Sequence, residues 1–133
     1  MNKQDENTPN NGYASKKYPF STKRYFKTLS LANDQKLIKE YRLLHSKERS
    51  WQVIRDGIRS VGILEMELFI YETTVCMVME TPIDFELNSA MDKLAKLPQQ
   101  QEWEDLVSTL QNSKAGKTSA DKWHLMERFF YLY

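Results

Sequence analysis

The chain has few of the residue types from which disulfides, metal centres and phosphate-binding loops are built. Its 133 residues include one cysteine, two histidines and four glycines. A lone cysteine cannot form an intramolecular disulfide, and Cys76 lies in an apolar run, so we expect a small core residue and a reducing, cytoplasmic location. Two distant histidines do not have zinc-site spacing, so no metal is expected. The scattered glycines do not form a phosphate-binding loop.

A strong charge of one sign and long apolar runs are also missing. The 19 basic and 18 acidic residues leave a net charge of +1. Nucleic-acid binders carry a basic patch, so no nucleic-acid partner is expected. No apolar run approaches the roughly 20 residues that span a bilayer, and the N-terminus lacks the apolar core of a signal peptide, so no membrane partner is expected. A serine hydrolase is unsupported because the Gly-x-Ser-x-Gly elbow is missing.

The composition predicts one folded domain behind a polar leader. Residues 1–22 are rich in Asn, Lys, Asp, Ser and Pro and poor in aliphatic side chains, so we expect them to be disordered. The domain is predicted to span residues 23–133, and an apolar fraction of 41% is sufficient for a core.

The spacing of apolar residues predicts an α+β fold. Strands are predicted where apolar residues alternate or cluster: 24–31, 63–71, 75–81 and 123–133. Helices are predicted where they recur every three or four positions: 34–45, 51–60, 84–96 and 99–110. Residues 112–119 are predicted to form a polar loop. The order β-α-β-β-α-β is typical of the ferredoxin-like fold, an antiparallel sheet with helices on one face.

Tyr41 and His45 are the first candidates for chemistry. Four residues apart on a predicted helix, their side chains project from the same face. Histidine both donates and accepts protons near neutral pH, whereas tyrosine is mainly a donor. The alternative is that both simply border the core of an amphipathic helix, which from spacing alone is the more frequent outcome.

Trp51 and Trp103 are the next candidates. Each could offer a flat apolar surface to the C–H face of a sugar ring, or could simply pack in the core, which is the commonest place for tryptophan. The spacing does not distinguish these alternatives. Trp123 and His124, near the last predicted strand, are interpreted as structural.

Six segments follow one another along the chain: Lys23-Arg24-Tyr25-Phe26-Lys27-Thr28-Leu29, Glu40-Tyr41 with His45 four residues after Tyr41, Gly62-Ile63, Met77-Val78-Met79-Glu80-Thr81, Gln101-Glu102-Trp103 and Leu125-Met126-Glu127-Arg128. In this order they resemble the L-rhamnose mutarotases, a family of small dimeric ferredoxin-like enzymes. The resemblance spans about residue 23 to the C-terminus. It rests on the collinear set, since no single motif is specific.

The resemblance implies a function and a set of site residues. Mutarotases interconvert the α and β anomers of a free aldose by acid–base ring opening and reclosure, without a cofactor. The family's catalytic histidine and tyrosine fall on His45 and Tyr41, and a tryptophan that contacts substrate falls on Trp103. A homodimer of the dimeric α/β barrel type and a monosaccharide substrate are implied as well.

The chain departs from the family pattern around this pair. Trp51 is followed by Gln52 rather than by the proline of a Trp-Pro-Glu step. Met66 occupies a position where some members have a sugar-contacting tyrosine, and Glu102 replaces the first of two adjacent tryptophans. We therefore assign Trp51, Met66 and Glu102 with Trp103 to substrate binding. A dimeric module that binds a small ligand without turnover is the alternative, and a purely structural dimer is a third hypothesis.

Overall fold

The computed structural model describes residues 12–133, which form a four-stranded antiparallel sheet and five helices. In chain order the elements are β1 (Thr22–Ser30), α1 (Gln35–Leu44), α2 (Gln52–Ser60), β2 (Glu65–Tyr71), β3 (Thr74–Pro82), α3 (Leu87–Ala95), α4 (Gln100–Ser108), α5 (Ser119–Lys122) and β4 (His124–Leu125). The strands lie in the order β2-β3-β1-β4, with each neighbouring pair antiparallel. The predicted α+β ferredoxin-like fold is confirmed.

The central strands β1 and β3 bury one face of the sheet. They pair along their whole length, from Thr22 opposite Pro82 to Ser30 opposite Thr74. Side chains alternate across a strand, so Val75, Met77 and Met79 point into the core while the residues between them are only partly covered. The buried face packs against side chains from α1, α3 and α4, which places the core between sheet and helices.

Helix α1 forms where its sequence pattern predicts it. The Asp34 carboxylate accepts hydrogen bonds from two backbone N–H groups of the first turn, which otherwise lack partners. Ile38, Tyr41 and Leu44 form its buried stripe. The functional candidates of this helix therefore belong to a well-anchored element.

Gly62 ends the second helical segment, at the boundary expected from the helix predicted over 51–60. It has a left-handed φ of 102°, and its N–H donates to the Arg59 carbonyl at 3.0 Å. A Cβ at this position would lie 3.4 Å from the Phe85 ring. The glycine thus allows a tight exit from α2 towards β2.

Two predicted elements have different boundaries in the structure. The helix predicted over 84–96 begins only at Leu87, since the Phe85 N–H closes a turn onto the Pro82 carbonyl at 3.2 Å. The predicted loop over 112–119 leads into a short helix, α5, which has a capping box between Thr118 and Asp121. Four residues are too few for hydrophobic periodicity to indicate a helix.

The final strand predicted over 123–133 is wrong in its length. Only His124 and Leu125 pair with β1, and one further hydrogen bond joins the Met126 N–H to the Phe26 carbonyl at 2.8 Å. Beyond this the apolar residues are exposed, with Phe129 at 93%. The apolar composition suggests burial, but β4 is an edge strand and the part of the chain that the structure describes places nothing over the tail.

The leader predicted over 1–22 is only partly described. Residues 1–11 lie outside the described residues, so their predicted disorder stays a prediction. Residues 12–21 form no helix or strand, but the Tyr18 hydroxyl donates to the Glu65 carboxylate and the Tyr13 ring lies 6.0 Å from that of Phe69. Within residues 12–133, no helix is both long and apolar enough to cross a membrane.

Candidate active site

A cavity of about 460 Å³ opens between the helices and the sheet, and its wall includes both residues of the Tyr41–His45 pair. Side chains from α1, α2, β2 and α4 supply most of the lining. Ligand pockets for small molecules generally range from about 300 to 1,000 Å³, so this cavity suits a monosaccharide. The predicted pair therefore lies beside a space that can hold a ligand.

The hydrogen bonding of His45 fixes the roles of its two ring nitrogens. Nδ1 lies 2.7 Å from the backbone carbonyl oxygen of Tyr41, one turn earlier in α1. A carbonyl only accepts, so Nδ1 donates, and in the neutral ring Nε2 is an acceptor. Nε2 has no hydrogen-bond partner within residues 12–133. Every buried side-chain nitrogen and oxygen in this range does have one, so Nε2 is not buried and is accessible from the cavity that His45 lines.

His45 is held in its neutral form. Burial lowers the pKa of its imidazole from the usual 6.5, and the positive charge of Arg55 lowers it further. The hydrogen bond to the Tyr41 carbonyl and the negative charge of Glu104 act in the opposite direction but do not outweigh burial. At neutral pH the side chain therefore offers a proton acceptor to the cavity.

Tyr41 remains protonated under the same conditions. Burial raises the pKa of its hydroxyl to about 12, with a smaller contribution from the negative charge of Glu104. A hydrogen bond from Gln111 lowers the pKa, but by less. The Tyr41 ring lies 4.5 Å from the imidazole of His45, so a proton donor and a proton acceptor are side by side.

The two predicted tryptophans lie against each other and against His45. The Trp51 and Trp103 rings are 5.3 Å apart and meet edge to face, and the Trp103 ring is 5.5 Å from the His45 ring. Met66, on β2, also lines the cavity, as does Trp123, which was interpreted as structural. Glu102 is different: it is exposed on α4 and is not part of the cavity wall.

Sequence reasoning missed a buried polar network beneath the aromatic residues. Glu104 accepts from Lys122 at 2.7 Å and from Gln100 at 2.7 Å. Lys122 also donates to the side-chain carbonyl of Gln111 at 2.6 Å, and the Gln111 amide donates to the Tyr41 hydroxyl at 3.2 Å. These residues connect the catalytic candidates to the second half of the chain.

One sequence signal could have found this network. Gln100, Glu104 and Ser108 recur at four-residue spacing on the same face of α4 as Trp103 and Val107, where an amphipathic helix should be apolar. Polar residues on an apolar stripe are expensive unless paired, so they indicate partners elsewhere in the chain.

Arg55 was also missed. Its Nε donates to the Ser50 hydroxyl at 2.7 Å, and one Nη donates to the backbone carbonyl of His45 at 3.3 Å. The guanidinium thus fixes the segment between α1 and α2 at the edge of the cavity. No signal in the sequence distinguished this arginine from the other basic residues.

Comparison with known proteins identifies the family. The family model for L-rhamnose mutarotase matches residues 24–132, which is most of the chain. The chain belongs to the L-rhamnose mutarotase family. The match includes Tyr41, His45, Trp51 and Trp103, and the predicted resemblance is therefore confirmed.

Two further proteins are similar to the chain, one in sequence and one in structure. A UPF0734 protein from Dictyostelium discoideum is 32% identical over 90 residues, which are 67% of this chain and 70% of that protein. The crystal structure of an L-rhamnose mutarotase from Formosa agariphila is similar with a TM-score of 0.61 at 18% identity. The similarity covers 84% of this chain and 99% of the other, and supports the ferredoxin-like fold.

The donor set of the cavity suits proton transfer rather than metal binding. Among the residues from 12 onwards, no three His, Cys, Asp or Glu side chains are grouped as metal ligands would be. Two carboxylates line the cavity: Glu104 is bound by Lys122 and Gln100, and Glu65 accepts from the Tyr18 hydroxyl. The groups that a ligand can meet include an imidazole acceptor, a phenol and two indole faces.

Proposed function

We propose that the protein is a mutarotase that interconverts the α and β anomers of L-rhamnose or a related deoxy-hexose. The observation that carries this proposal is the pairing of a neutral His45, whose Nε2 is accessible from the cavity, with a protonated Tyr41. Anomer exchange needs a base and an acid within reach of the same sugar carbon, and these two groups supply them.

The reaction begins when His45 Nε2 accepts the proton of the C1 hydroxyl. The O1–H electron pair becomes the new C1=O1 bond, the C1–O5 bond breaks, and O5 receives the proton of the Tyr41 hydroxyl. The open aldehyde then rotates about C1–C2. In the reverse steps Tyr41 recovers its proton from O5 and His45 returns its proton to O1, so the enzyme is unchanged and no cofactor is consumed.

The wall of the cavity supports a sugar substrate. Trp51 and Trp103 expose indole surface that packs on the C–H face of a pyranose, as aromatic side chains do with flat apolar surfaces. Met66 and Leu68, on β2, add apolar surface that suits the methyl group of a 6-deoxy sugar. We therefore favour a deoxy-hexose over a fully hydroxylated hexose.

We further propose that the protein is a cytoplasmic homodimer. The exposed apolar residues of the sheet and tail support a dimer: Phe26 and Phe69 point away from the core, and the tail after Leu125 is largely uncovered. Oligomeric interfaces bury such surface. Sedimentation should find twice the 15.8 kDa mass of one chain, and a monomer at micromolar concentration would contradict the dimer.

The test is two-dimensional exchange NMR of L-rhamnose anomers with and without protein. We expect faster exchange with the wild-type protein and a loss of at least about 10²-fold in His45→Ala, the usual effect of removing a general acid or base. Lys39→Ala, an exposed truncation on the same helix, is the matched control and should keep the wild-type rate.

Other sugars separate the remaining alternatives. Faster anomer exchange of L-fucose but not of L-rhamnose would identify a different substrate and would still support the mutarotase reaction. A sugar-dependent rise in melting temperature without faster exchange for any deoxy-hexose would refute the mutarotase and support the ligand-binding module.

A further inference from the structure

The hydrogen bonds between Lys122 and Tyr41 run in one direction. The Lys122 ammonium has three protons and no acceptor, so each of its partners must accept. These partners are the Glu104 carboxylate, the Glu104 carbonyl, the Ser108 hydroxyl and the Gln111 side-chain carbonyl. The Ser108 hydroxyl donates a hydrogen bond to the Glu104 carbonyl at 2.6 Å, so its oxygen can accept one from Lys122.

Lys122 thereby decides which way the Gln111 amide faces. The amide oxygen must point at the ammonium, 2.6 Å away, so the amide nitrogen points at Tyr41, with Nε2 3.2 Å from the hydroxyl oxygen. The reversed amide would set its N–H₂ group against a cation and leave the phenol facing an acceptor. Since Gln111 is only 5% exposed, water does not compete for either end.

We propose that Gln111, held by Lys122, is a positioning residue that makes Tyr41 a one-way hydrogen-bond donor towards the cavity. This inference rests on the proposed function. The Tyr41 oxygen accepts from Gln111, and no acceptor in the described chain takes its proton. His45 is the complement, because its Nδ1 proton is committed to a carbonyl and its Nε2 can only accept. A sugar then meets one fixed donor and one fixed acceptor.

The charged and titratable groups around this arrangement come from four helices and one strand. Tyr41 is on α1 and His45 is its C-cap, Arg55 and Arg59 are on α2, Glu65 is on β2, Glu104 is on α4 and Lys122 is on α5. Of these, only Lys122 contacts Gln111 with a charge. A change at Gln111 therefore alters the direction of the Tyr41 proton without directly touching His45.

Gln111→Glu reverses the hydrogen bond between residue 111 and the Tyr41 hydroxyl with almost no change in side-chain shape. An ionised carboxylate has no proton to give, so it accepts from Lys122 and from the Tyr41 hydroxyl, which then turns away from the sugar. When protonated, the same carboxyl can donate to Tyr41 as the amide does. Burial and the Glu104 carboxylate, which already pairs with Lys122, both favour the protonated form of this new carboxyl. We therefore expect anomer exchange about tenfold or more below wild type at about pH 8, and a ratio to wild type that rises as the pH falls to about 6.

Two control variants distinguish the hydrogen-bond direction at Tyr41 from a general structural effect of replacing Gln111. Gln111→Met keeps the length and leaves Lys122 three acceptors, so Tyr41 stays free to donate and the loss should be smaller than in Gln111→Glu and constant with pH. Tyr41→Phe should lose about 10²-fold at every pH. Equal losses in Gln111→Glu and Gln111→Met, with parallel pH profiles, would overturn the proposal.

A second measurement needs no activity. The measurement is the carbon-13 chemical shift of tyrosine labelled at Cζ, with Tyr41→Phe used for assignment. In the wild type, the Tyr41 shift should be typical of a phenol that accepts a hydrogen bond. Gln111→Glu should move this shift towards the value of a phenolate. A signal that Gln111→Glu leaves in place contradicts the proposal. Wild-type protein that accelerates no sugar contradicts the proposed function instead.

Discussion

Lys122 and Glu104 form an ion pair that is almost completely removed from solvent. Nζ lies 2.7 Å from Oε1, and the two side chains are 2% and 8% exposed. Each charge also has neutral partners: Gln100 donates to the carboxylate, and Gln111 accepts from the ammonium. The pair joins α4 to α5 beneath the cavity, so a short helix of four residues depends on a buried charge for its position.

We expect Lys122→Met to destabilise the protein strongly. Removal of one partner leaves the Glu104 carboxylate buried without its cation, which generally costs about 3–5 kcal/mol. The free energy of unfolding from urea titration measures the effect. The matched control is Arg49→Met, which removes a similarly short but exposed pair with Glu40 and should change the free energy of unfolding far less.

The double variant Glu104→Leu/Lys122→Met distinguishes the cost of an unpaired charge from the value of the pair. It removes both charges together, so most of the stability lost in Lys122→Met should return. Equal stabilities of the single and double variants would contradict this account and would indicate that packing of the lysine stem is what matters.

Lys27 is a buried cation that lacks a carboxylate partner in the described chain. It lies on β1 with 3% exposure, its one hydrogen-bond partner is the Met91 sulfur at 3.8 Å, and burial lowers the pKa of its ammonium. We expect Lys27→Met to raise the free energy of unfolding by about 1–3 kcal/mol, since it removes a poorly compensated polar group.

The lowered pKa of Lys27 also predicts how the free energy of unfolding changes with pH. The unfolded chain binds a proton at Lys27 up to about pH 10.5, whereas the folded chain releases it at a lower pH, so wild-type stability should rise with pH through this window. Lys27→Met should flatten the rise, while Lys36→Met, at an exposed position, should keep it. Identical slopes in wild type and Lys27→Met would refute the expectation.

The sequence was sufficient for the fold because its long elements bury one face each. The helical spacing of Ile38, Tyr41 and Leu44 and the compact apolar run over residues 75–81 identify α1 and β3 from local pattern alone. The length of the last strand was predicted wrongly because the tail after Leu125 has no buried face within this chain's described residues. Its apolar residues resemble a buried strand, but whether they are covered depends on contacts beyond the sequence pattern of one chain.

The site was predictable only in its aromatic half. Tyr41 and His45 share one helical face, so spacing brings them together, whereas Gln111 reaches Tyr41 from 70 residues away. Such a long-range pair leaves no local pattern. The difference between Glu102 and Glu104 is similar: both are glutamates on α4, but the helix turns one to solvent and the other to Lys122.

The anomer-exchange rate should fall only on the acid side of neutrality. His45 must be neutral to accept a proton, and burial lowers the pKa of its imidazole, so the rate should hold down to below about pH 6.5 before it declines. Tyr41, with a pKa of about 12, should give no alkaline limb below about pH 9. The pH profile of kcat/KM measures both limits, and an acid limb well above pH 6.5 would contradict a depressed histidine pKa.

Trp51→Leu tests whether the indole faces bind the sugar. Trp51 is only partly buried, so its replacement should leave the fold intact, and it packs edge to face on Trp103 at the cavity wall. Loss of an aromatic contact worth about 0.5–1.5 kcal/mol corresponds to a KM about twofold to tenfold higher. We expect kcat to change less than KM, because the indole does not take part in proton transfer. Val53→Ala, an exposed truncation on α2, should leave both constants unchanged. A KM in Trp51→Leu equal to that of wild type would show that the sugar does not rest on this ring.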